Sequence, residues 1–317
     1  MCKCFLHYPS THELAVLAFS FPRQIATWSE LNASRPTNTV KPVTIVQIWK
    51  DTEPVPTRVS ISWVDKHERK PEMNIHGAVA LVTGSNRGIG RAFVEALIAR
   101  GAKKVYATAR NPAKLKELEE AHPGKIHVLT LDITKTAQVA AAASQAGDVN
   151  LLINNAGINR KKGLIDSAVL DDARDEMETN YFGTLNVSRA FAPILKHNGG
   201  GAIVNMLSIL ARVSLPAYGS LCASKAAGLL ATQGMRAELA RQHTRVVAVM
   251  PGAVDTDMER DFEGPKENPG DVANASLQAL EDGVDEVYPG GMAQGVSQGL
   301  ATDPKAVEKE FAAYLPG

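Results

Sequence analysis

The chain has 317 residues, 44% of them apolar, enough for a sizeable core in one large α/β domain or two modest ones. Its 34 basic and 34 acidic side chains cancel, which sets aside a nucleic-acid or polyanion binder. No run of 18 apolar residues suggests a membrane span, and three cysteines are too few for a disulfide framework, which points to a reducing, cytoplasmic setting.

The averages hide a seam near Met73. All 25 glycines lie from Gly77 onward, whereas all three tryptophans and 7 of the 17 prolines precede Met73. Charge divides into +2 before Met73 and −2 after it. The composition therefore predicts an N-terminal extension, residues 1–72, followed by a domain over 73–317.

Within the extension, Leu14 to Phe21 has the look of a signal-peptide core. Glu13 abuts it, only Lys3 supplies an N-terminal charge and no small-x-small site follows, so export is not expected. Val43 to Trp49 and Val59 to Val64 read as strands, and Cys2 and Cys4 as incidental thiols, since no companion ligand stands near them. The plainest reading is upstream in-frame translation with Met73 as the start. A small independent domain is the sharper reading, weakened by the lack of glycine for turns.

From Ala78 the pattern becomes regular. Val79 to Val82 is a short apolar run of the kind buried on both faces of a parallel sheet, and it leads directly into Thr83-Gly84-Ser85-Asn86-Arg87-Gly88-Ile89-Gly90. A helix follows, with Ile89, Phe93 and Leu97 on one face and Gly101 as its stop. Glycines between strand and helix allow a tight turn and bring backbone amides close to a pyrophosphate, which rests on the positive end of the helix.

Strand and helix signals then alternate: strand Lys104 to Thr108, helix Pro112 to His122, strand Ile126 to Leu131, helix Gln138 to Gln145, strand Val149 to Ile153. This alternation predicts a Rossmann-type, doubly wound parallel α/β sheet with helices on both faces and ligands at the carboxyl ends of its strands. An NAD site would offer a carboxylate after the second strand. Here that strand ends Thr108-Ala109-Arg110-Asn111, and Arg87 sits in the glycine loop, so two guanidinium groups favour NADP over NAD. The competing reading leaves Arg110 as a solvated surface charge.

At this point the motifs resemble the short-chain dehydrogenase/reductase family, over about residues 76–290. The glycine loop stands at Thr83 to Gly90 and the N-N-A-G motif at Asn154 to Gly157. The resemblance implies that NADP(H), or less readily NAD(H), is held by Thr83, Gly84, Asn86, Arg87, Gly88, Ile89 and Gly90, by Arg110, and by Asp132 and Ile133. It implies further contacts from Asn155, Ala156 and Gly157, from Lys225, and from Pro251, Gly252, Val254 and Thr256. It implies a proton relay through Asn180, a catalytic serine at Ser208 and a lysine at Lys225. No metal is implied.

The family's tyrosine, four residues before the lysine, transfers a proton to or from the substrate oxygen while hydride moves at the nicotinamide. Leu221 occupies that position. Tyr218 lies one helical turn earlier and substitutes only if the helix start is displaced, so it reads first as a wall residue. Cys222 is expected to face elsewhere as a buried thiol.

Residues 209–217 and 258–290 are expected to border the substrate, the latter as a mobile lid, with 291–317 as a C-terminal tail and helical periodicity over Ala306 to Leu315. Both borders suit a small carbonyl or alcohol with an apolar body. Long helices at Asp172 to His197 and Tyr218 to Gln242 carry small residues such as Ala226, Ala227, Gly228 and Ala231. In the resemblance, such helices form a homodimer or homotetramer. The expected function is NADP-dependent oxidoreduction, impaired by Leu221, and the alternative is a non-catalytic NADP-binding or interaction protein.

Overall fold

The computed structural model describes residues 73–165 and 169–316. The strands expected before Met73 lie outside them. Seven parallel strands form one sheet in the order β3-β2-β1-β4-β5-β6-β7. In chain order the elements are β1 (Val79–Val82), α1 (Gly88–Ala99), β2 (Lys104–Ala109), α2 (Lys116–Ala121), β3 (Ile126–Thr130), α3 (Thr136–Gln145) and β4 (Leu151–Asn154). There follow α4 (Asp171–Glu176), α5 (Thr184–His197), β5 (Gly201–Met206), α6 (Gly219–Leu239), β6 (Thr244–Val249), α7 (Pro269–Glu281), β7 (Glu286–Val287), α8 (Gly291–Thr302) and α9 (Pro304–Phe311).

Local chemistry explains many of the boundaries. Gly101 adopts φ +79° after α1, a left-handed conformation that glycine takes without strain. Pro269 and Pro304 open α7 and α9, while Asn268 and Asp303 accept the cap hydrogen bonds from Gly270 N at 2.7 Å and Ala306 N at 3.0 Å. Two apolar layers hold the sheet from either face. Phe93 and Leu97 of α1 are fully buried on one side and Phe191 and Leu195 of α5 on the other, each worth roughly 1.5–3 kcal/mol.

Two expectations need correction. The stretch 258–290 is not a continuous lid, because α7 lies within it and packs on α1 with Val272, Ala273, Leu277 and Leu280 fully buried. The helix expected over Asp172 to His197 is interrupted by a wide π-type turn, Met177–Gly183, that carries Asn180.

Strand order reverses between β1 and β4, which opens a crevice at the carboxyl ends of the strands. Among the described residues no helix is long and apolar enough to cross a membrane.

Candidate active site

A cleft of about 890 Å³ runs along this carboxyl edge, from Arg110 and Asp132 at one end to Leu215, Phe311 and Leu315 at the other. Its floor is the glycine loop. Gly84 and Gly88 have φ of +65° and +54°, and a Cβ on Gly90 would fall 2.3 Å from Gly84 O and 2.5 Å from Asn155 Nδ2. Gly90 is therefore required by packing inside the loop. Asn155 Nδ2 donates to Thr83 O at 2.9 Å and Gly84 O at 3.1 Å, while Thr83 Oγ1 accepts from the Asn155 and Ala156 amides. Thr83 thus lies behind the cleft and ties β1 to the end of β4. Asn86, Arg87, Ile89, Ala156 and Gly157 line the opening itself.

Helix α1 begins in this cleft at Gly88 with no side-chain cap and no acidic residue in its first turn. Its first amides are free to meet an anion. Arg110 follows β2, is exposed, lines the cleft, and pairs with no carboxylate among the described residues. Asp132 lines the cleft and accepts from Thr134 N at 3.0 Å and Thr134 Oγ1 at 2.7 Å, which fixes the turn before α3. Ile133 beside it lies so close to the π-type turn that a Cβ on Gly183 would stand 2.8 Å from its side chain.

The other end of the cleft holds the chemistry-bearing side chains. Ser208 follows β5 in extended conformation, with Oγ accepting from Leu210 N at 3.1 Å. Lys225, one turn after Leu221 on α6, donates from Nζ to Met206 O at 2.9 Å. Burial pushes its ammonium down to about 8, with the Glu176 carboxylate opposing the shift. Leu221, which lies between these two residues in sequence, is only 5% exposed and lines the cleft. Pro251, Gly252, Val254 and Thr256 line the wall after β6.

Asn180 does not line the cleft. Its Nδ2 donates to Ile158 O at 3.0 Å and Ser224 Oγ at 2.9 Å, and its Oδ1 accepts from Ile158 N at 2.8 Å. It joins the strand-end motif to α6. Tyr218 does line the cleft, at the start of α6. Burial, then Glu259, pushes its hydroxyl up while Lys161 lowers it, so the charges around it belong to the outer loops and not to Lys225. Cys222 is buried, and its Sγ accepts from Leu215 N at 3.3 Å and donates to Leu215 O at 3.7 Å.

Several contributors carried no sequence signal that tied them to the cleft. Glu176 is fully buried, accepts from Arg160 N at 2.6 Å and from the Ser220 hydroxyl, and stands one turn before Asn180. Phe311 and Tyr314 reach the cleft from more than 80 residues beyond α6's start, the tail being pinned by Ala217 N donating to Tyr314 O at 3.0 Å.

Residues 78–266 match the short chain dehydrogenase family model. The chain belongs to this family. A solved short chain dehydrogenase from Burkholderia cenocepacia, in complex with NADP, is 51% identical and superposes with a TM-score of 0.72 over 75% of this chain and 99% of that one. An uncharacterized oxidoreductase of Staphylococcus haemolyticus is 34% identical over 65% of this chain and 92% of its own length. The 3-oxoacyl-(acyl-carrier-protein) reductase FabG of Salmonella typhimurium is 32% identical over 59% of this chain and 78% of its own. In this short chain dehydrogenase the cleft is lined by residues that follow each of the strands β1 to β6.

Proposed function

We propose that this chain binds NADP(H) and acts as an oxidoreductase on a carbonyl/alcohol pair, slowed at its proton-transfer step by Leu221. The reading is carried by one arrangement: a helix start with no side-chain cap, and an Arg110 with no carboxylate partner among the described residues, at one end of the cleft that also holds Ser208 and Lys225. An anion fits this end, and the donor set suits a 2′-phosphate better than a ribose hydroxyl. The relative solved with NADP supports the same choice.

When bound, the dinucleotide supplies or accepts the hydride. In this reading Ser208 Oγ holds the substrate oxygen and the Lys225 ammonium holds the ribose. Asn180 positions α6 and the strand-end motif around them. Leu221 neither donates nor accepts a proton, so the substrate oxygen must exchange its proton without a side chain at that position. This favours a second reading, an NADP-binding protein that has dispensed with chemistry. In either reading two copies associate through the helical faces that leave Phe182 and Leu230 exposed, giving a homodimer or homotetramer.

Titration of the native chain with NADPH and NADH, followed by cofactor fluorescence, is expected to give the tighter constant for NADPH. Arg110→Glu is expected to weaken NADPH by roughly tenfold to a hundredfold, the scale of one charge-assisted hydrogen bond, with little effect on NADH. Tighter binding of NADH to the native chain overturns the cofactor assignment.

Leu210, Leu215, Phe262, Met292 and Leu315 give the far end an apolar lining, which suits a ketone with an apolar body. Phe311→Ala is expected to raise KM for such a ketone roughly tenfold in any active form while leaving the NADPH constant unchanged. A shift in NADPH binding instead places Phe311 at the cofactor.

A further inference from the structure

The glycine loop and the segment after β6 are fastened to each other at their outer ends. Arg87 Nη1 stands 2.6 Å from Asp257 Oδ2, and Asp257 Oδ1 accepts from Arg260 Nη2 at 3.0 Å. Behind the pair the two segments already meet: a Cβ on Gly88 would lie 3.1 Å from Thr256 Cγ2. Arg87 and Asp257 line both the dinucleotide cleft and an outer cavity of about 510 Å³, so the ion pair forms a partition between them.

We propose that Asp257 is a cofactor-selecting residue, whose carboxylate occupies Arg87 in competition with the 2′-phosphate of NADP. The proposal rests on the reading that the cleft takes NADP. It divides the two guanidinium groups by role. Arg110 has no carboxylate partner among the described residues and is preset for phosphate; Arg87 is available only when the clasp opens.

The chemistry makes such an exchange easy in one direction. The pair is exposed, with side-chain exposures of 67% and 45%, so it is held weakly. A phosphate monoester brings about −1.5 to −2 charge and three acceptor oxygens against the single charge of a carboxylate, and therefore displaces it. The ribose hydroxyl of NAD has no charge to do so. Asp257 is not stranded when Arg87 leaves, because Arg260 already holds its other oxygen. The released carboxylate keeps a cation beside it, which lowers the barrier to opening.

The test is a double-mutant cycle on the full chain, reading NADPH and NADH dissociation constants at low ionic strength for the native protein, Asp257→Asn, Arg87→Met and the combined variant. Asp257→Asn is expected to tighten NADPH by about twofold to fivefold, the range an exposed ion pair commands, and to leave NADH unchanged. In the Arg87→Met background the gain is expected to vanish, because no guanidinium remains to be freed. An equal gain in that background reduces Asp257 to simple repulsion of the cofactor and overturns the competition. An equal gain for NADH overturns the selection. If the native chain binds NADPH and Asp257→Asn binds it no better, the clasp alone fails; if the native chain binds neither dinucleotide, the functional reading fails and the clasp with it.

Discussion

Leu221→Tyr is expected to raise the rate of NADPH-dependent carbonyl reduction by about 10² to 10⁴, the usual worth of a positioned general acid. The site is otherwise ready for it. Leu221 is four residues before Lys225 on α6, so the two share a helix face, and it is among the residues that line the cleft with Ser208. A phenol there would come under the Lys225 ammonium, which favours the tyrosinate form and keeps the proton transferable near neutral pH. Because burial brings that ammonium down to about 8, the variant is expected to lose rate as pH rises beyond about 8 and the lysine discharges. Steady-state NADPH consumption with an apolar ketone, compared across the native chain, Leu221→Tyr and Tyr218→Phe, decides the matter. No gain in a folded, NADPH-binding Leu221→Tyr contradicts the assignment of the lesion. Native activity that disappears in Tyr218→Phe moves the proton donor one turn back along the chain.

The glycine-loop half of the cleft is legible because its geometry is local. A buried strand, a glycine-rich turn and a helix follow one another within residues 79–99, and the backbone conformations the loop needs are written as glycines at 84 and 88. Arg110 is legible for the same reason: it stands where a parallel strand ends, and parallel strands end at the ligand edge. Leu221 is legible because its distance from Lys225 is fixed by helix geometry.

What escaped has physical reasons as well. Val272, Ser276 and Leu280 of α7 lie on one helical stripe and are fully buried, yet Gly264, Pro265, Pro269 and Gly270 ahead of them read as loop, and the short stripe was lost behind that signal. The π-type turn at Met177–Gly183 adds a residue to a helical turn, and its one breaker, Gly183, is an isolated glycine that a helical pattern tolerates, so periodicity alone reads a straight helix through it. The Arg87–Asp257 clasp and the closure of the cleft by Phe311 and Tyr314 join residues far apart in the chain. Such contacts exist only once the sheet is assembled.

Lys225→Met is expected to stabilise the cofactor-free protein while destroying its grip on the dinucleotide. Moving an ammonium from the usual 10.5 to about 8 means that the folded chain holds that charge less willingly than the unfolded chain does. The full shift corresponds to roughly 3 kcal/mol, and the bond to Met206 O, lost in the variant, together with cleft water reduces the recoverable part to about 1–3 kcal/mol. For a domain of this size the melting temperature is then expected to rise by about 2–10 °C at neutral pH. The sign of the pH dependence follows from linkage. The folded value is the lower one, so between about 8 and 10.5 the unfolded state binds more protons, native stability rises with pH across that window, and below about 8 it is flat. In Lys225→Met this rise is expected to disappear, which calorimetry at two pH values measures directly. NADPH binding is expected to weaken at least tenfold for want of the ammonium. A variant less stable than the native chain at neutral pH would mean that Lys225 is part of the fold and not a strain kept for the ligand. The expected pattern instead means that a destabilising cation persists beside Leu221, as the proposed role of Lys225 in holding the dinucleotide requires.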